Sequence, residues 1–412
     1  MPERKQGFTT RMLTTPYVKK DPFNALHMPV YETVAYDFET AEDIADTFQD
    51  RKPAHAYSRS TNPSVEHLES KIISATGARA ALALSSGMAA IANAILALVK
   101  PGENILSSPN LFGHTYGLFS KTLHGLGIET RFCKLLDPAG LKKYIDENTR
   151  LIFFETVTNP QLEVANIAEL VKLARKHGIL VMADSTLTPI NVFSAKAFGV
   201  DVEIMSSTKF ISGGATSVGG IIVDTGINDW STLPILSAYH EKKGEMAFIA
   251  KLRKEIFRHL GSCMSPRTAQ LQSMGLDILA LRVERSFTNC LKLAEFLVDH
   301  PEIKKVSYPG MPGSEYYELS KKQFNGVPGT ILCFDLSSVE TCFAFMNKLR
   351  IIRRATNMND NKSLIIHPWS TIYSEYTESL RLKMEVRETM LRLSVGIEDI
   401  DDLIADLEQA LK

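Results

Sequence analysis

Cysteine is scarce in this 412-residue chain: five residues, an odd number, scattered at Cys133, Cys263, Cys290, Cys333 and Cys342 with no C-x-x-C pair. That pattern excludes a disulfide framework and offers no zinc site, and it points to a reduced, cytoplasmic protein without a metal. An excess of one charge is also missing. Lys+Arg 46 against Asp+Glu 47 leave a net charge of -1, with no basic block and no acidic tail. Neither nucleic acid nor an anionic membrane is therefore expected as a partner. Long hydrophobic runs are absent as well. The longest, Ala89 to Val99, is interrupted by Asn93 and is shorter than the ~20 residues a membrane helix needs. The opening MPERKQGFTTRMLTTPYVKK has charges but no apolar centre, so it does not read as a secretory leader. No repeat or low-complexity tract is present.

What remains is an ordinary soluble composition, 44% hydrophobic, in a chain long enough for two or more folding units. From residue 78 onward, short apolar runs alternate with amphipathic ones. ARAALALSS reads as a strand and GMAAIANAILALV as the helix after it; LIFFET, NIAELVKLARKHG and ILVMADS read as strand, helix and strand. Strands that are apolar throughout, joined by a helix, predict a parallel sheet covered on both faces. GGIIVD reads as a later strand of that sheet. Beyond residue 260 the texture changes to a long helix (ILALRVERSFTNCLKLAEFLVDH), the turn YPGMPG, a strand TILCFDL and a closing helix DIDDLIADLEQAL. The expected organisation is an arm over 1–60, with little periodicity, lying on a neighbouring subunit; a large α/β domain over 61–260; and a smaller α+β domain over 261–412.

In a parallel α/β sheet, ligands sit beyond the carboxyl ends of the strands. Ser85, Ser86, Gly87 and Met88 fall at such an end, where the free N–H groups of a helix start bind phosphate. Asp184 closes the strand ILVMAD. A carboxylate there needs a cationic partner, and a protonated pyridine nitrogen is one. Lys209 follows in Ser206-Ser207-Thr208-Lys209, beside the Gly-rich ISGGATSVGG. Its amine, partly desolvated, is suited to imine formation, with Ser206 and Thr208 near a phosphate. Each feature alone has a plainer explanation, namely a helix cap, a second cap and a solvated lysine. Their order along the chain is that of a fold-type I enzyme using pyridoxal 5′-phosphate (PLP).

The segments YSRSTNPS (57–64), SSGMAA (85–90), ETVTNP (155–160), ADST (183–186), SSTKF (206–210), LRVER (281–285) and RLSVGIED (392–399) together resemble the Cys/Met-metabolism, or trans-sulfuration, family of PLP enzymes. The resemblance runs from about residue 28 to the end. It implies that Lys209 forms the imine and carries protons and that Asp184 faces the pyridine nitrogen. Ser86, Gly87, Met88, Ser206 and Thr208 would hold the phosphate, Phe112 would cover the ring, and Asn159 would lie near the ring hydroxyl. Tyr57 and Arg59 would reach the phosphate of the adjacent subunit, within a homotetramer built as a dimer of dimers. Arg392 would clamp the substrate carboxylate, with Asn357 beside it.

Within the family, NMNDNKSLIIHPWST (357–371) and YYELSKKQF (316–324) look most like O-acetylhomoserine sulfhydrylases. That likeness implies γ-replacement on O-acetylhomoserine by a sulfur nucleophile to give homocysteine. Lyases and synthases acting on cystathionine or methionine are near relatives, and acetyl and succinyl substrates are not separated. Departures also stand out. Phe112 replaces a usual tyrosine, which keeps the stacking face and removes a phenol; Tyr116 in the same loop is a candidate substitute. Met205 and Gly214 stand where histidine is usual, Phe210 for tyrosine, Trp369 for alanine and Tyr373 for histidine. One expectation from these is a remodelled entrance that takes sulfur as sulfide or from the thiocarboxylate of a sulfur-carrier protein.

Overall fold

The buried strands lack polar alternation because their sheet is covered on both faces. The structure, a computed structural model, describes residues 6–16, 21, 23–135 and 138–412. Seven strands, β1 (Ala80–Leu84), β2 (Asn104–Ser107), β3 (Glu129–Phe132), β4 (Thr149–Glu155), β5 (Leu180–Asp184), β6 (Val202–Met205) and β7 (Gly220–Asp224), make one sheet in the order β1-β7-β6-β5-β4-β2-β3. Every pairing is parallel except those of β7, which runs antiparallel to β1 and β6.

Successive side chains of β4 and β5 serve different cores, as a period of two requires. Leu151, Phe153, Leu180 and Met182 pack with the helix Gly87–Leu98 on one face. Ile152, Phe154, Val181 and Ala183 pack with the helix Ile167–His177 on the other. Each such large side chain contributes about 1.5–3 kcal/mol on burial. The crossover helix starts at Asn166, whose side chain accepts from the Glu169 N–H, and stops at Gly178, whose φ of 65° suits glycine.

Five further strands, β8 (Lys305–Ser307), β9 (Ile331–Asp335), β10 (Arg353–Arg354), β11 (Leu364–Ile366) and β12 (Met390–Ser394), form a second sheet in the order β10-β11-β12-β9-β8. The helices Leu279–Asp299 and Ile400–Leu411 bury Leu293, Leu297, Leu403 and Leu407 against Leu332, Phe334, Leu391 and Leu393 of that sheet. Because Leu391 and Leu393 face these helices, Arg392 between them points the opposite way, toward the first sheet.

The first 60 residues hold more order than their weak periodicity predicts. Helices form at Phe8–Thr14, with Met12 fully buried, and at Ala41–Phe48, capped by Thr40 Oγ1 accepting from Asp43 N at 3.0 Å. Of the arm expected over 1–60, residues 1–5, 17–20 and 22 lie outside the described residues. Among the described residues, no helix is long and apolar enough to cross a membrane.

Candidate active site

The carboxyl ends of β1, β4, β5 and β6 open on one cavity of about 620 Å³. Ser86, Gly87, Met88, Phe112, Asn159, Asp184, Ser206, Thr208, Lys209 and Arg392 all line it. Close approach fixes the turn after β1. A Cβ on Gly87 would lie 2.7 Å from the Ser206 Cβ, and one on Gly220 would lie 2.1 Å from the Ser86 carbonyl oxygen. Glycine at both positions lets β7 and the 206–209 turn press against the helix start. Ser86 caps that helix, its Oγ accepting from Ala89 N at 3.1 Å. The Ser206 N–H donates to Thr186 Oγ1 at 2.8 Å. Thr208 Oγ1 donates to the Gly219 carbonyl and accepts from its N–H.

Lys209 Nζ donates to Asn357 Oδ1 at 2.9 Å. Burial first, and then the charge of Arg392, lower its pKa to about 8 from an ordinary 10.5, with Asp360 opposing. At Asp184, Oδ1 accepts from the Thr186 N–H at 2.9 Å. Burial raises its pKa, and among the described residues no lysine or arginine pairs with it. Glu155, opposite Asp184 in the β4–β5 register, is pushed well above the carboxylate range by burial and then by the Asp184 charge. Both causes favour the neutral form of Glu155.

Arg392 is 2% exposed. Its Nη1 donates to Asn159 Oδ1 at 3.0 Å and its Nη2 to the Thr356 and Asn357 carbonyls, while Nε is unpartnered. Burial lowers its pKa to about 10. Among the described residues it meets no carboxylate, so this cation is available to a bound one. The Asn159 side-chain N–H group is also buried and unpartnered. A buried carboxylate without a protein cation, a helix start cradled by two glycines, a depressed lysine and an orphaned amide donor fit an anionic pyridine aldehyde.

Three expected site residues lie off this cavity's wall. Asn357 touches Lys209 from behind and donates to Asp360 Oδ2 at 2.9 Å. Tyr57, 44% exposed, lies under the Arg59 guanidinium, and Arg59 Nη1 donates to the Arg258 carbonyl at 2.8 Å. Both are exposed. Tyr116 stacks on Phe132 with centroids 4.6 Å apart and does not line the cavity, so it does not supply the phenol that Phe112 lacks. Trp369 and Tyr373 sit behind the lining residues Thr371 and Ile372. Trp369 packs under Arg381, and the buried Tyr373 hydroxyl reaches the Leu111 and Asn159 carbonyls. Glu155, Thr186, His114 and Thr356 line the cavity without having been singled out from the sequence. The strand-end logic that selected Asp184 applies equally to Glu155, which ends β4.

The model of the Cys/Met metabolism PLP-dependent enzymes matches residues 9–412. The chain belongs to this family. Pyridoxal phosphate is thus the cofactor of this Cys/Met-metabolism enzyme, as the cavity's donor set requires. An O-acetylhomoserine sulfhydrylase of the methionine biosynthetic pathway of Wolinella succinogenes is 43% identical; the match covers 99% of this chain and 100% of that one, with a TM-score of 0.81. A putative O-acetylhomoserine (thiol)-lyase from Campylobacter jejuni, which carries a pyridoxyl-lysine phosphate at its position 205, is 33% identical, with coverage of 98% and 100% and a TM-score of 0.94. The L-methionine gamma-lyase of Pseudomonas putida is 34% identical, over 98% of this chain and 97% of its own. The family enzyme is therefore similar to members that replace at a γ-carbon and to one that eliminates there.

Proposed function

We propose that this enzyme carries out γ-replacement on O-acetylhomoserine, exchanging acetate for a sulfur nucleophile to give homocysteine. The observation that carries this reading is the convergence of the Lys209 amine, the unpaired Asp184 carboxylate and the carboxylate-free Arg392 guanidinium on one cavity whose described lining includes no tyrosine. Likeness to sulfhydrylases over the whole chain supports the choice of substrate.

Pyridoxal phosphate bound there supplies an electron sink for breaking bonds at Cα and Cβ. The chain's own groups do the rest. Arg392 grips the substrate carboxylate through its planar fork. Lys209, whose pKa lowered to about 8 leaves a neutral fraction of the amine near neutral pH, removes the Cα proton and returns it later. The Asp184 carboxylate would face the ring nitrogen and favour its protonated form. Phe112 covers the ring and excludes water. Acetate leaves from Cγ without needing a proton, which suits a wall lacking a phenol, whereas a departing thiolate benefits from an acid.

The reading extends to a homotetramer in which Tyr57 and Arg59 complete the neighbour's phosphate site. Exposure of Tyr57, Phe23, Leu26 and Val34 supports a covering subunit. A cytoplasmic setting is supported by five free cysteines. The sulfur donor is sulfide or a carrier protein's thiocarboxylate, and full turnover on low sulfide would remove the reason for a carrier. The deciding experiment is product analysis with sulfide and O-acetyl- or O-succinylhomoserine, set against methionine and cystathionine alone. Homocysteine from the acetyl substrate is the expected product. Dominant α-keto acid and ammonia from methionine or cystathionine would replace this reading with elimination.

A further inference from the structure

Glu155 stands between the cofactor cavity and a second cavity of about 280 Å³, and it lines both. It is 6% exposed. Its Oε1 accepts from the Phe112 N–H at 2.6 Å, while Oε2 is buried and has no partner. The neighbouring Leu111 is linked to Asn159 by the buried Tyr373 hydroxyl, which sits 2.9 Å from the Leu111 carbonyl oxygen and 2.8 Å from that of Asn159. Glu155 thus holds the Phe112 N–H, and the Tyr373 hydroxyl lies between the two carbonyls.

We propose that Glu155 is a positioning residue that sets the height of Phe112 over the cofactor by holding its backbone N–H beside Asp184. The proposal rests on the reading that PLP occupies the cavity under Phe112. Three observations favour this over a merely structural acid. First, the bond to Phe112 crosses from the end of β4 to a loop 43 residues away in sequence and ends on the residue whose ring faces the cavity. Second, the Tyr373 hydroxyl lies between the carbonyls of Leu111, next to Phe112, and of Asn159, whose side-chain oxygen accepts from Arg392, so the held loop adjoins the guanidinium that receives the substrate. Third, the Glu155 oxygen facing the Phe112 N–H only accepts, so an uncharged carbonyl oxygen in its place meets the geometry without a second charge against Asp184. The requirement is for an acceptor at a fixed distance and not for an anion.

That requirement separates two conservative variants in opposite order from ordinary acid chemistry. Glu155→Gln is uncharged and keeps the length and the accepting oxygen. Glu155→Asp keeps the acid but withdraws it by one methylene. In the holoenzymes, Glu155→Gln is expected to retain the visible circular dichroism of bound cofactor, with kcat within about threefold of the parent and KM unchanged. Glu155→Asp is expected to lose about half or more of that signal, to release cofactor on dialysis about tenfold faster, and to raise KM. An Asp variant that matches the parent, or a Gln variant as impaired as Asp, would overturn the proposal. Should Glu155→Asp fail to fold, the Gln variant decides alone, since loss of its dichroism contradicts the clamp. The parent enzyme controls for the underlying reading: if it binds no PLP, that reading fails before either variant is compared.

Discussion

The Lys209 amine lies 2.9 Å from Asn357 Oδ1. Lys209 follows β6 of the first sheet, whereas Asn357 belongs to the connection between β10 and β11 of the second. The residue expected to do the chemistry is therefore aimed by the other half of the molecule. The Arg392–Asn159 bond crosses the same boundary in the opposite sense.

Capture of cofactor should report the environment of this lysine. An amine must be neutral to bond an aldehyde, and burial with Arg392 lowers the Lys209 pKa to about 8. In apoenzyme mixed with pyridoxal phosphate, the rate of appearance of the yellow band is expected to rise with pH and level off above about pH 8. Arg392→Leu removes a cation that disfavours the protonated amine, so the inflection should move to higher pH. Stopped-flow absorbance across the pH range measures both.

Asp184→Asn removes the negative charge and keeps the shape. Loss of the counter-charge to a ring nitrogen should lower kcat by roughly 10²-fold, equivalent to about 2.7 kcal/mol, while the band and the fold persist. Steady-state kinetics with the melting temperature as control checks it.

Arg392→Leu should act mainly on substrate binding. Hydrogen bonds to a charged group contribute about 1.5–3 kcal/mol, roughly 10- to 150-fold in kcat/KM. The loss is expected in KM for the amino acid, and a product analogue lacking the carboxylate should lose little. Parallel inhibition and rate measurements separate the two.

Much of the fold was legible because buried strands and capped helices leave local marks. The runs at 80–84, 151–155, 180–184, 220–224 and 331–335 are all strands, and the helix ending in Gly178 stops where glycine in the left-handed region allows it. Long-range facts were less accessible. That β7 runs antiparallel is set by its partners β1 and β6, not by its own five residues. The short helix Phe8–Thr14 owes its order to tertiary burial of Met12, which a seven-residue window does not reveal. In the site, Lys209 and Asp184 were recognisable from strand-end position and residue type. Glu155 ends β4 as Asp184 ends β5, so its position was equally legible, but its bond to an N–H 43 residues away was not. Asn357 shows the same limit: its oxygen meets the lysine, a contact fixed only when the two sheets meet.

The outward placement of Arg59 gives a subunit-mixing prediction. Arg59→Ala and Lys209→Ala are each expected to be nearly inactive. If Arg59 serves the neighbour's site, a hybrid dimer contains one intact site, and random mixing restores about a quarter of the parent activity. If Arg59 serves its own chain, mixing restores none. Activity after unfolding and co-refolding of equal amounts decides between them.

The most direct measurement is borohydride reduction of the cofactor-loaded enzyme, followed by digestion and mass mapping of the pyridoxyl label. The label should fall on the peptide containing Lys209 and vanish in Lys209→Ala. Label on a different lysine, or none on a protein offered excess cofactor, would contradict the placement of the chemistry at this cavity.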